Sequence, residues 1–403
     1  MATANGHRHA KAAQADADPG AEPDASTDRP DEARILAACE RKDLDELRDI
    51  AVAPGGFQSD YLRSRAWPVL LGFDADATSA SPIETSSPWR HLPRHRDEEQ
   101  VRLDVDRSFI YYPNYESPTQ LKEKKAELSA LITQVLREQP YLCYFQGYHD
   151  ICQVLLLVLP PGLRAPAAAR LSALRIRDFM LPTLAPALVQ LRLIPDLVRA
   201  EDPALFAHLA QSEPHFALSD TLTMFAHNVQ RYRDIARLFD ALLAREQAFG
   251  LYVFACIVLG RRAELLAHGG GGDDDGPDML YFVLSKLPPD LDLDAVVAGA
   301  ARLFRRHPPE SLPAWRRISS ASTLRTTRDP RALARQTLPD GRAFFDAQVR
   351  QMQWAERRQR MLRAAWANRT VLLTILVGVG AVYLRKTSAW TSILAWMIRL
   401  GKG

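Results

Sequence analysis

Lys122-Glu-Lys-Lys-Ala-Glu-Leu-Ser-Ala-Leu-Ile-Thr-Gln-Val-Leu-Arg-Glu138 sets Leu128, Leu131, Ile132, Val135 and Leu136 at helical spacing. Apolar side chains at i, i+3, i+4 and i+7 share one face of a helix and cannot share one face of a strand. An amphipathic helix is expected here, with its stripe buried against other elements. The pattern persists outward. The block from Asp97 to about Leu159 is helical, and residues 167–304 continue as Leu-, Ala- and Arg-rich helical runs. Toward the N-terminus, Ile35, Leu36, Leu44, Leu47 and Ile50 keep helical spacing until Ala53-Pro-Gly-Gly56 ends the run. Tyr61-Leu-Arg-Ser-Arg-Ala-Trp-Pro-Val-Leu-Leu-Gly72 reads as a short helix stopped by Pro68 and Gly72, and residues 74–90 as a loop. Alternating β-branched runs are nearly absent. The expected class is all-α, a multi-helix domain and not a parallel-sheet enzyme.

The composition agrees. The chain has 403 residues, with 51 Lys and Arg against 48 Asp and Glu, and 47 % hydrophobic residues. A net charge of +3 excludes a strongly basic nucleic-acid binder, and the apolar content excludes a wholly disordered chain. Cys39, Cys143, Cys152 and Cys256 form no CxxC pair, so neither a zinc ribbon nor a disulfide scaffold is expected. Residues 1–30 lack the apolar core of a signal peptide and cannot bury enough surface to offset their ordering entropy; a disordered tail is expected. His268-Gly-Gly-Gly-Gly-Asp-Asp-Asp-Gly-Pro277 reads as a flexible insertion, since it lacks the alternate oxygen ligands and terminal Glu of a calcium loop. Residues 306–338, poor in apolar positions, read as a linker.

Two stretches carry chemistry. In Val101-Arg-Leu-Asp-Val-Asp-Arg107, Asp104 and Arg107 are three apart and share a helix face, so the carboxylate can aim the guanidinium. By itself this reads as a plain surface ion pair. In Tyr144-Phe-Gln-Gly-Tyr-His-Asp-Ile151, a Gln beside a Gly opens a buried helix and exposes a carboxamide that both donates and accepts. His149 and Asp150 invite a metal reading, but adjacent helix side chains diverge and no third ligand has suitable spacing. A polar network at the helix start is the alternative.

Together, VRLDVDR and YFQG resemble the paired signatures IxxDxxR and YxQG of the TBC domain, the all-helical GTPase-activating domain acting on Rab GTPases. Arg65-Ala-Trp-Pro-Val-Leu-Leu-Gly72, Ser212–Phe225 and Arg237-Leu-Phe-Asp240 extend the similarity over residues 57–305. Three positions depart from the pattern: Val101 for Ile, Tyr148-His149-Asp150 for Met-Asn-Asp, and Asp220-Thr221 where Trp is common. The resemblance implies that Arg107 is an arginine finger oriented by Asp104. It implies that Gln146 is a second finger that positions water, with Tyr144, Gly147 and Asp150 in support. It also implies no cofactor of the chain's own: no GxxxxGK[ST] occurs, and GTP and Mg²⁺ would arrive on a Rab in its GTP form. The alternatives are a weakly catalytic Rab-binding scaffold or a membrane-shaping protein on the same fold.

Beyond the domain, residues 339–369 read as a basic juxtamembrane helix with Arg357, Arg358, Arg360, Arg363 and Arg369. The apolar run 370–384 follows and is read as a transmembrane segment anchoring the chain in a lipid bilayer. Residues 385–403 form a short tail, whose 387–398 piece either lies in the interface or returns as half of a hairpin. A TBC domain followed by such an anchor resembles the subfamily of the endoplasmic reticulum, acting on the Rab of ER-to-Golgi transport with the domain facing the cytosol.

Overall fold

The computed structural model describes residues 30–75, 88–113, 117–209, 213–267, 276–288 and 290–386. Residues 1–29 of the expected 1–30 tail and residues 268–275 of the expected insertion 268–277 lie outside these residues, as does the end of the chain beyond 386. Within them the fold is helical, as its sequence pattern requires. The helices Glu32–Glu40 (α1), Leu44–Val52 (α2), Asp60–Leu70 (α3), Glu98–Asp106 (α4), Pro118–Glu138 (α5) and Tyr148–Val158 (α6) build the N-terminal part. α5 buries Leu128, Leu131, Ile132, Val135 and Leu136, the stripe its spacing demands. Nearly every side chain of α6 is buried, its polar His149 and Gln153 included.

The later part contains Leu193–Glu201 (α7), Leu218–Leu222 (α8), Tyr232–Ala244 (α9), Phe249–Gly260 (α10), Gly276–Leu284 (α11) and Leu293–Arg306 (α12). α10 is packed against both α7 and α12. A buried carboxylate helps tie the two parts together. Asp240 on α9 is fully buried and accepts from Arg63 Nε at 3.0 Å, Trp67 Nε1 at 2.9 Å and the Phe57 amide at 3.1 Å. Gly56 sits against it at φ +55°, and a Cβ there would lie 2.7 Å from Asp240 Oδ2. Every donor therefore points at a charge that would otherwise be costly to bury. This explains why the Arg65–Gly72 and Arg237–Asp240 blocks occur together.

The expected linker over 306–338 is not one. Leu312, Trp315, Ile318, Leu324 and Leu333 are buried, and Thr323–Thr326 (α13) and Pro330–Arg335 (α14) are short helices against the domain. Buried polar groups fasten the segment as well, and an apolar-pattern reading does not register them. Arg177 is fully buried and donates to the Ala173 carbonyl at 2.6 Å, the Ala321 carbonyl at 2.6 Å and Gln348 Oε1 at 3.1 Å. Asp178 beside it, also fully buried, accepts from Gln190, Ser322, the Thr323 amide and Gln348. Gln348 belongs to Leu338–Ala367 (α15), a helix of 30 residues opened by a capping box between Thr337 and Asp340. The expected juxtamembrane helix thus begins as part of the domain, with Phe345 buried, and only its later turns are exposed.

The expected transmembrane segment over 370–384 is corrected. The segment is helical, within Arg369–Lys386 (α16), but no helix among the described residues is long and apolar enough to cross a membrane. Arg369 on one side and Arg385-Lys386 on the other leave about 22 Å of apolar helix against a hydrocarbon core of about 30 Å. Bilayer anchoring, expected on the same ground, has no support among these residues.

Candidate functional site

α4 ends at Arg107, whose backbone has left the helix at φ −104°, ψ 15° and whose amide bonds the Asp104 carbonyl. A cation there meets the partial negative charge of the helix C-terminus. Arg107 Nη2 donates to Asp104 Oδ1 at 2.5 Å, while half of the Arg107 side chain remains open to solvent. Asp104 itself is fully buried, and its charge is balanced by three donors. Gln100 Nε2 reaches Oδ1 at 2.9 Å, and the Tyr144 hydroxyl reaches Oδ2 at 2.8 Å. Arg107 is therefore no plain surface pair: a rigid acceptor holds one end of the fork and leaves the other nitrogens free.

The loop before α6 is fastened to the start of α4. The Leu142 carbonyl accepts from His95 Nε2 at 3.0 Å, and the Tyr144 amide donates to Asp97 Oδ2 at 2.9 Å. Phe145 turns inward against Tyr148 and Phe179, so its neighbour Gln146 is exposed. Gly147 caps α6 at φ +101°, a conformation that favours glycine, and a Cβ there would lie 2.5 Å from Thr223 Cγ2. That close approach brings α8 and its following turn against the Gln146 loop.

An open cleft of about 650 Å³ results, and Arg107, Gln146, Gly147 and Asp150 all line it. Across from them stand Leu218, Ser219, Leu222 and Thr223 of the α8 region, and Tyr281 of α11. Ile110 and Tyr111 in its wall are exposed apolar side chains. Buried Gln153 holds the 109–112 loop through the Phe109 amide at 3.0 Å and the Tyr112 carbonyl at 3.1 Å.

All six residues singled out from sequence thus meet at one place. Asp104, Tyr144 and Gly147 shape the mounts of Arg107 and Gln146, and Asp150 lies in the wall. Sequence reasoning missed Asp97, Gln153, Thr223 and His227. None of these sits in a local pattern, because each acts across a fold contact. His149 and Asp150 do form a polar network at the helix start, the alternative to a metal pair. His149 Nδ1 is 3.2 Å from the Tyr144 hydroxyl, and Nε2 is 3.3 Å from Asp150 Oδ1. Burial pushes the His149 imidazole below its ordinary range. His227 Nδ1 donates to Asp150 Oδ2 at 3.0 Å, and that hydrogen bond raises its own. Asp220, buried with one oxygen unpartnered, is pushed up to about 7 by desolvation.

Comparison with known proteins follows the same lines. The sequence pattern described as the Rab-GTPase-TBC domain matches residues 60–266. GTPase-activating protein gyp10 of Schizosaccharomyces pombe is 34 % identical over 303 residues, covering 73 % of this chain and 78 % of that protein. TBC1 domain family member 20 of Mus musculus is 34 % identical over 274 residues, covering 67 % of this chain and 65 % of that protein. GTPase-activating protein GYP8 of Saccharomyces cerevisiae is 32 % identical over 223 residues, or 49 % and 42 % of the two chains. With a buried Asp-aimed arginine and a glycine-shaped glutamine loop on one cleft, the chain belongs to the Rab-GTPase-TBC domain family.

Proposed function

We propose that the chain is a GTPase-activating protein for a Rab GTPase in its GTP form, supplying Arg107 and Gln146 in trans. The observation carrying this reading is that both side chains open onto one cleft, each fixed by buried structure behind it. GTP and Mg²⁺ belong to the partner in this reading, and the chain contributes charge and orientation. Hydrolysis is slow unaided because charge grows on the phosphoryl oxygens while the attacking water is poorly placed. An arginine finger neutralises that charge and contributes about 10³–10⁵ in rate, on the order of 4–7 kcal/mol of transition-state stabilisation. Asp104 keeps the Arg107 fork directed before the partner arrives, so little reorganisation remains at the moment of reaction. Gln146, with a donor and an acceptor on one planar group, suits the placing of a water between two oxygens.

The substrate we infer is the Rab of ER-to-Golgi transport, met at the endoplasmic reticulum by a domain facing the cytosol. The Gly147-Tyr148-His149-Asp150 variant after Gln146 supports it. The test is single-turnover hydrolysis with the full chain on a panel of GTP-loaded Rabs. Strong stimulation of the early-secretory Rab is expected; stimulation of a different Rab alone would reassign the substrate, and none at all would overturn the activity.

A further inference from the structure

One imidazole of the cleft lies outside both motifs. His227 follows α8 by five residues, lines the same cleft as Arg107 and Gln146, and keeps more than half of its side chain open. Its place is built. The His227 amide bonds Thr223 Oγ1 at 3.4 Å, and Thr223 in turn presses on Gly147 beside Gln146. Its Nδ1 is committed to Asp150, and among the described residues Nε2 has no hydrogen-bond partner.

A hydrogen-bonded network runs from Asp104 through Tyr144 and His149 toward Asp150. Tyr144 has one hydroxyl proton, and Asp104 takes it. His149 Nδ1 lies 3.2 Å from the Tyr144 oxygen, and its Nε2 lies 3.3 Å from Asp150 Oδ1. On its other side, Asp150 Oδ2 accepts from His227 Nδ1 at 3.0 Å. The groups facing His227 are Asp150 and His149 from α6, Asp220 from α8 and Arg107 at the end of α4. The first and third favour the imidazolium, and Arg107 opposes it.

We propose that His227, oriented by Asp150, is a specificity-determining contact that offers its Nε2–H to a carboxylate on the surface of the docked GTPase. The short side chain of His227 is rooted in the cleft wall, which also carries exposed Ile110 and Tyr111. Such a contact is made equally in the bound and transition states, so it acts on KM and leaves kcat alone. The proposal rests on the Rab-GAP reading.

The experiment measures KM and kcat from pH 6 to 8.5 for the full chain, H227Q and H227K, with the GTPase alone as baseline. The wild-type KM is expected to rise about 2–5-fold with pH, the size of one partly exposed charged contact. H227Q should show the raised KM throughout, and H227K the low KM throughout. In the free protein, proton NMR of the imidazoles should show His227 titrating above the ordinary range, and D150N should bring it back down. An H227Q profile matching wild type, an effect confined to kcat, or an unshifted His227 titration would each overturn the proposal. Absence of stimulation by the wild-type chain on every Rab would instead overturn the reading beneath it.

Discussion

Replacing Gly147 by Ala puts two separable burdens on the Gln146 loop. The first is conformational: at φ +101° an L side chain is strained by about 1–3 kcal/mol. The second is steric, since the new methyl would sit 2.5 Å from Thr223 Cγ2, closer than real carbons approach. Thr223 is buried and cannot simply swing away, so relief by small backbone shifts costs a further ~1–3 kcal/mol. A total of about 2–6 kcal/mol would lower Tm by roughly 4–24 °C at about 2–4 °C per kcal/mol. The same shift moves Gln146, and a displacement of about 1 Å costs on the order of 10²-fold in rate. T223S separates the two burdens. It deletes the opposing methyl but keeps the hydroxyl bond to the Ser219 carbonyl, at 2.8 Å in the wild type. The double variant G147A/T223S should therefore recover part of the Tm and rate lost in G147A, with the φ strain remaining. Thermal unfolding and single-turnover hydrolysis on the responsive Rab read both effects. Wild-type Tm and rate in G147A, or a double variant no better than G147A, would refute the placement of this loop.

Other expectations follow from buried charge. D104N removes the anion that aims Arg107 while keeping its shape, so stimulation should fall by at least tenfold with Tm changing by only a few degrees, by the same assays. D178N unbalances Arg177 within a fully buried network, a change of the kind that costs about 3–5 kcal/mol, and denaturant unfolding should show it together with early proteolysis after residue 319. Asp220 gives a pH dependence. Its carboxyl is raised from 3.8 to about 7 in the fold, so the domain favours it protonated and loses stability as pH climbs through that window. D220N, which keeps an acceptor for Asn228, should gain on wild type by an amount growing from pH 5 to pH 8, on the order of 2–4 kcal/mol at the upper end. Equal Tm differences at both pH values would contradict that burial.

Much of the domain is legible because its information is local. The α5 stripe, the Asp104–Arg107 spacing and the Gln146-Gly147 turn each lie within a few residues, and each is present in the fold as read. What escapes is non-local or polar. The 306–338 segment looks like a linker because few apolar residues advertise it, yet Arg177 and Asp178 hold it from more than 140 positions away. His227 is silent in sequence because its partner, Asp150, is 77 residues distant. The apolar run 370–384 is the reverse case: composition suggests a span, but the charges at both ends leave the helix too short.

The most direct test of the account is single-turnover GTP hydrolysis on the responsive Rab by the full chain, R107A, R107K and Q146A. The account predicts loss of about 10³-fold or more stimulation in R107A, little recovery in R107K because lysine lacks the planar fork, and a comparable loss in Q146A. Full stimulation by either R107A or Q146A would contradict it.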